Sequence, residues 1–247
     1  MDNYNRNSGT GIFYGVIGVA TLVVAIIGAT FAFFSATAQS ANDAVNVSST
    51  AYGLDFADTT GTNLKTKMIP ATEAIAKYAA LEQTGTGNVA HNQCIDDNGR
   101  EVCSVYQFTV SNSSSATLSG TSVTGGTINQ VPQTVSFSIK VATNEFTNLK
   151  YSIYEGVAAN LTKNSTAVAT GTFAAANSTT PVSLGSASVT LGTTASDCFK
   201  TYTMVIWIDE TNNNQTEADA GKSFTAGVTF TTAGGTGVTG VISAAQG

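Results

Sequence analysis

The sequence predicts an all-β protein, an antiparallel β-sandwich with one or two short helices, and three observations predict it. Beyond residue 104, apolar residues alternate with Thr, Ser, Gln or Lys at a period of two, run after run. Gly-, Asn- and Thr-rich turns separate the runs at sandwich-like spacing. Only one segment outside the N-terminus has good helical spacing. The composition agrees, because just 11% of the 247 residues are charged, and Thr and Ser take the place of charge on strand faces, where Thr favours the pleated conformation.

The chain opens on an uncharged apolar run at residues 11–34, densest from Val16 to Ile27. Roughly 20 apolar residues can cross a bilayer as a helix, whereas a secretory signal needs about 7–15 before a small-residue cut site. Residues 1–38 therefore read as a signal peptide or, uncleaved, as a membrane anchor through residues 11–34. Two cut sites fit. Gly28 weakens the helix just before Ala29-Thr30-Phe31-Ala32, which places one cut after Ala32; Ala36-Thr37-Ala38 meets the small-x-small requirement and places the other after Ala38. Either cut puts the β-sandwich domain, residues 39–247, with its N-terminal arm outside the cell or on its surface, with a signal peptidase as a partner during export.

Residues 44–56 read as a strand region, with Val45 and Val47, then Tyr52, Leu54 and Phe56, alternating with smaller or polar residues about a phase change near Ser49. Pro70 opens a helix over 71–82, in which Ile75, Tyr78, Ala79 and Glu82 fall at helical spacing, and Gly85 and Gly87 end it. In 105–110, Tyr106, Phe108 and Val110 form an apolar face opposite Val105, Gln107 and Thr109, which is expected to be mostly wet. In 135–141, Val135, Phe137, Ile139 and Val141 oppose Ser136, Ser138 and Lys140. Segments 149–154, 167–173, 182–191, 202–208 and 224–230 complete the series. Val205-Ile206-Trp207-Ile208, the most apolar, is expected to be central, and 224–230 to be the last strand. The Gly-, Thr- and Ala-rich tail 234–247 is expected to be loose.

The three cysteines are Cys94, Cys103 and Cys198. Cys94 and Cys103 bracket a segment containing Asn98-Gly99, a strong signal for a tight hairpin turn, so the two thiols face each other and a disulfide is expected. Cys198 is left over, either buried as a small apolar residue or free to pair between chains.

Several function classes are excluded or reduced. Scattered lysines give no basic patch for a nucleic-acid backbone. With His91 as the only histidine, the helical zinc-protease arrangement of paired histidines cannot be built, and no catalytic residues are assigned. Gly221-Lys222-Ser223 resembles the end of a phosphate loop, but Thr216 stands where that motif needs glycine. Asp209, Glu210, Asn212, Asn214, Glu217 and Asp219 form an oxygen-rich loop that is the candidate for calcium, although it lacks the usual central glycine and closing glutamate. No other cofactor is expected. Sequons such as Asn112-Ser113-Ser114 and Asn160-Leu161-Thr162 follow from the composition.

Gly18-Val19-Ala20 through Gly28-Ala29-Thr30-Phe31-Ala32-Phe33-Phe34, the Tyr52-Gly53-Leu54-Asp55-Phe56 strand, and Val205-Ile206-Trp207-Ile208 followed by a polar loop and 224–230 resemble the TasA and camelysin family of bacterial secreted proteins. The resemblance implies a jelly-roll sandwich, a dedicated signal peptidase cutting near Ala32, and a closing hairpin made by the last two of these segments. It also implies assembly into extracellular fibres of the biofilm matrix, the N-terminal strand of one subunit completing a sheet of the next. The self-assembly arm, residues 39–56, would then carry Val45, Val47, Tyr52, Leu54 and Phe56, with Phe33 and Phe34 added by a cut after Ala32. The cysteine hairpin departs from the family pattern. The leading expectation is a secreted structural protein whose partners are other copies of itself. The alternatives are a monomeric surface module that binds a glycan or host protein, and a camelysin-like metalloendopeptidase.

Overall fold

The computed structural model describes residues 54–58, 68–82, 94–210, 222–235 and 237–245, all within the unit Asn42–Gly247. The apolar run, both cut sites, Phe33, Phe34, Val45, Val47, Tyr52 and His91 lie outside the described residues.

The fold is an antiparallel β-sandwich, jelly-roll-like in that the chain crosses repeatedly between its sheets. The first sheet, A, holds β1 (Asp55–Asp58), β2 (Ser104–Ser111), β8 (Leu149–Glu155), β9 (Ala169–Thr172) and β12 (Phe199–Ile208), in the order β1-β2-β12-β8-β9. The second sheet, B, holds β7 (Gln133–Asn144), β10 (Ser178–Pro181), β11 (Val189–Leu191), β13 (Ser223–Thr232) and β14 (Gly237–Ala245). Its order is β10-β7-β13-β14, and β11 also pairs with β7. Between β2 and β7 the chain makes two nested hairpins, β3 (Ser113–Ser114) with β6 (Thr127–Ile128) and β4 (Thr117–Leu118) with β5 (Val123–Thr124). The helix is α1 (Glu73–Leu81), capped by Thr72, whose hydroxyl accepts the Ile75 N–H at 3.3 Å.

The alternating runs supply the inter-sheet core. Tyr106, Phe108 and Val110 of β2, and Tyr202, Met204 and Ile206 of β12, face Phe137 and Ile139 of β7 and Val228 and Phe230 of β13, all buried. Phe108 stacks on Phe137 across the sandwich at 5.7 Å, and Phe173 meets Phe224 at 4.5 Å. As expected, Val205-Ile206-Trp207-Ile208 lies in the central strand of its sheet.

Six expectations are corrected. The second face of β2 is not wet: Gln107, Thr109 and Ser111 are buried. What buries this face of sheet A is a third layer. Ala76, Ala79, Ala80 and Leu81 of α1, with Cys94, Val102 and Cys103 of the cysteine hairpin, pack on Tyr154, Val205 and Trp207. Farther along, Thr203 donates to Gly156 O at 2.8 Å, Gln107 accepts from Ala158 N at 2.9 Å, and Thr201 donates to Gly120 O at 2.6 Å. Each polar group thereby exchanges water for a carbonyl or amide of the covering chain.

The helix face differs as well, because Ile75 is 43% exposed and the buried residues are Ala76, Ala79, Ala80 and Leu81. The 182–191 run is not one strand: a turn at Gly185, φ 79°, separates β10 and the residues after it from β11. The strands 202–208 and 224–230 do not form a closing hairpin, since β12 belongs to sheet A and β13 to sheet B. Finally, the tail is not loose and 224–230 is not last. Residues 237–245 form β14, which pairs with β13 over its whole length, from Thr231↔Gly237 to Ser223↔Ala245.

Candidate functional site

One lateral side of the sandwich differs from the other, and the difference lies in the edge strands. On one side, β9 and β10 are four residues each, and β10 ends at Pro181, which has no N–H to offer a neighbour. The opposite side carries β1, likewise four residues, on sheet A and the longer β14 on sheet B. β14 runs Gly-Val-Thr-Gly-Val-Ile-Ser-Ala-Ala, nine residues with no charge and no proline. Among the described residues its one ladder partner is β13. An edge of this length and composition is a template for further main-chain pairing.

The inward side of β14 is built to fit its own sandwich. Val238 and Ile242 are buried. Between them, Gly240 leaves room for the Phe56 ring and the Tyr106 hydroxyl, both of which a Cβ at this position would strike. The outward side carries Thr239, whose hydroxyl lies 3.0 Å from that of Thr229, and Val241, which is 45% exposed.

β1 is held by more than its ladder to β2. The buried Asp55 carboxylate accepts hydrogen bonds from Ser113 Oγ at 2.8 Å, Ser115 N at 3.2 Å and Ala116 N at 2.8 Å, pinning the strand to the turn that leads into β4. Ser113 Oγ also lies 2.9 Å from Ser111 Oγ, and Ser111 Oγ lies 3.2 Å from Cys198 O. Leu54 and Phe56 on either side of Asp55 are 1% and 4% exposed. These two residues of the expected assembly arm thus belong to the chain's own core, because their apolar side chains and the Asp55 carboxylate all find complete partners in cis.

Cys94 and Cys103 form a disulfide with Cα atoms 5.0 Å apart. The turn between them carries Asn98-Gly99, and Asp96 organises it, its carboxylate accepting Asn98 N at 2.9 Å and Arg100 N at 2.8 Å. The hairpin is tied to the helix by Cys94 N donating to Ala79 O. Cys198 is free and fully buried, the first of its two expected states.

The Asp209 carboxylate is paired with Lys150 Nζ at 2.7 Å, Glu210 is exposed, and Asn212, Asn214, Glu217 and Asp219 lie outside the described residues. Among the described residues, no three His, Cys, Asp or Glu side chains are grouped so as to hold a metal ion. Ser223 of the phosphate-loop-like triplet begins β13 and gives its hydroxyl and N–H to Glu145; these two hydrogen bonds hold the Glu145 carboxyl below its ordinary pKa. Asn112 of the first sequon is buried, its side-chain amide donating to Val131 O and Gly192 O. Burial raises the phenols of Tyr151, Tyr154 and Tyr202 above their ordinary range, Tyr202 most, with Glu155 adding to the shift.

No family model matches the chain, and no curated protein is similar to it.

β14 and Asp55 escaped the sequence reading for different reasons. The period-two positions of β14 are Val238, Gly240 and Ile242, but the middle one is a glycine and the segment reads as a loose tail. Asp55 sits in a strand pattern that predicts its backbone and says nothing of donors about sixty residues away.

Proposed function

We propose that this chain is a secreted structural protein that associates with copies of itself at the cell surface or in the extracellular matrix, by adding strands at a sheet edge. The observation that carries the reading is the length of β14: it is a nine-residue uncharged edge, whereas the other edge strands, β1, β9 and β10, are four residues each and β10 ends in proline. Strand addition takes affinity from main-chain hydrogen bonds, so it needs a long edge and little side-chain chemistry. The Cys94–Cys103 disulfide suits an oxidising compartment. The apolar run at residues 11–34 suits export, and the resemblance to the TasA and camelysin family points the same way.

The test is sedimentation and negative-stain microscopy of the purified mature protein over a wide concentration range. Self-association that increases with concentration, from dimers upward, is expected. A protein that stays monomeric throughout would replace this reading with the monomeric surface module.

A further inference from the structure

We infer that the strand added to β14 is β14 of a second copy, antiparallel to the first across a two-fold axis centred on Val241. The inference rests on the self-association proposed above and names the surface and the partner.

Three features single out this occupant. Val241 is the midpoint of Gly237–Ala245, so pairing about it uses the whole strand and sets Gly237 opposite Ala245 and Thr239 opposite Ser243 of the partner. A two-fold contact must be complementary to itself, and a strand without charge meets its own copy without like charges opposed. Val241 is also, at 45%, the most exposed of the large hydrophobic residues among those described. Two-fold pairing sets it beside its own symmetry mate, where each valine covers the other.

The geometry yields a sharp test. Directly opposed residues of an antiparallel pair have Cα atoms about 4.5–5.5 Å apart, within the span a disulfide bridges. Thr239 and its own symmetry mate are offset by four residues along the strand, about 13 Å, which is beyond that span. In full-length mature protein, Val241→Cys is therefore expected to give a covalent dimer on mild oxidation, and Thr239→Cys is expected to give none. Val241→Lys, on the outward face, is expected to weaken association by about tenfold or more by opposing two charges, with the melting temperature of the dilute monomer unchanged.

If the unmodified protein self-associates while Val241→Cys gives no covalent dimer, this pairing is wrong and self-association stands. A crosslink from Val241→Cys to Val47→Cys in a mixed sample, without the Val241 homodimer, would give the edge to the N-terminal arm and overturn the inference in the same way. An unmodified protein that is monomeric at every concentration would overturn both.

Discussion

Thr203 and Thr229 both point away from the inter-sheet core, each from a ten-residue strand, β12 and β13. Thr203 is fully buried, and its hydroxyl is spent on Gly156 O. Thr229 is half-buried on an open face, sharing a hydrogen bond with Thr239. The same contrast runs across both sheets. Gln107, Thr109, Thr201, Val205 and Trp207 lie beneath α1, the cysteine hairpin and the covering loops, whereas Thr134, Ser136, Lys140, Thr239 and Val241 are exposed. A strand face of Thr and Ser is thus compatible with either state, because a hydroxyl loses little on burial when a carbonyl replaces its water. What separates the faces is whether the chain supplies a third layer.

The contrast can be broken most directly at Trp207. If the outer face of sheet A is a second core, Trp207→Ala should cost about 3–5 kcal/mol in urea unfolding. Val241→Ala on the outer face of sheet B should stay within about 0.5 kcal/mol in the same measurement. Equal costs would mean that the third layer is only loosely attached. Next comes the disulfide that closes that layer. Replacing Cys94 and Cys103 together by Ala should cost about 2–3 kcal/mol, judged from chain entropy for a short loop. The loss should appear as weaker hydrogen-exchange protection in α1 and leave β7 and β13 protected.

A smaller effect isolates the hydroxyls themselves. Thr203→Val keeps the shape and strands Gly156 O, for a cost of about 1–2 kcal/mol, whereas Thr229→Val should be close to neutral. The smallest effect is set by pH. Tyr154 sits in the covered outer face, Tyr151 and Tyr202 in the inter-sheet core, and burial raises all three. Above about pH 10 the unfolded chain loses phenolic protons that the folded chain keeps, so it binds fewer protons and stability falls as pH rises. Tyr154→Phe should make that alkaline decline shallower, measured as melting temperature against pH; an unchanged slope would show the covered face to be open to water.

Reading along the chain, the strands of the inter-sheet core were legible because a half-buried strand writes its apolar face into alternate positions, as in Val135, Phe137, Ile139 and Val141. The cysteine hairpin was legible too, since Asn98-Gly99 and two flanking cysteines specify a turn locally. The candidate site was less so. Leu54 and Phe56 were recognised as strand residues, but a pattern of two cannot say whether a strand completes its own sheet or another's. Asp55 and the inward glycine of β14 answer that only through donors and rings far away in sequence.

By itself, then, the sequence determined the class of fold, the inward-facing residues and the cystine, all of which follow from local periodicity and turn chemistry. Tertiary structure alone decided three things: that the polar face of sheet A is a second core, that β12 and β13 part into different sheets, and that the glycine-rich tail becomes, among the described residues, an edge strand. Each depends on which distant segment arrives to cover a strand or pair with it. Strand pairing uses main-chain groups that every residue carries, so the side chains along a strand do not record its neighbour.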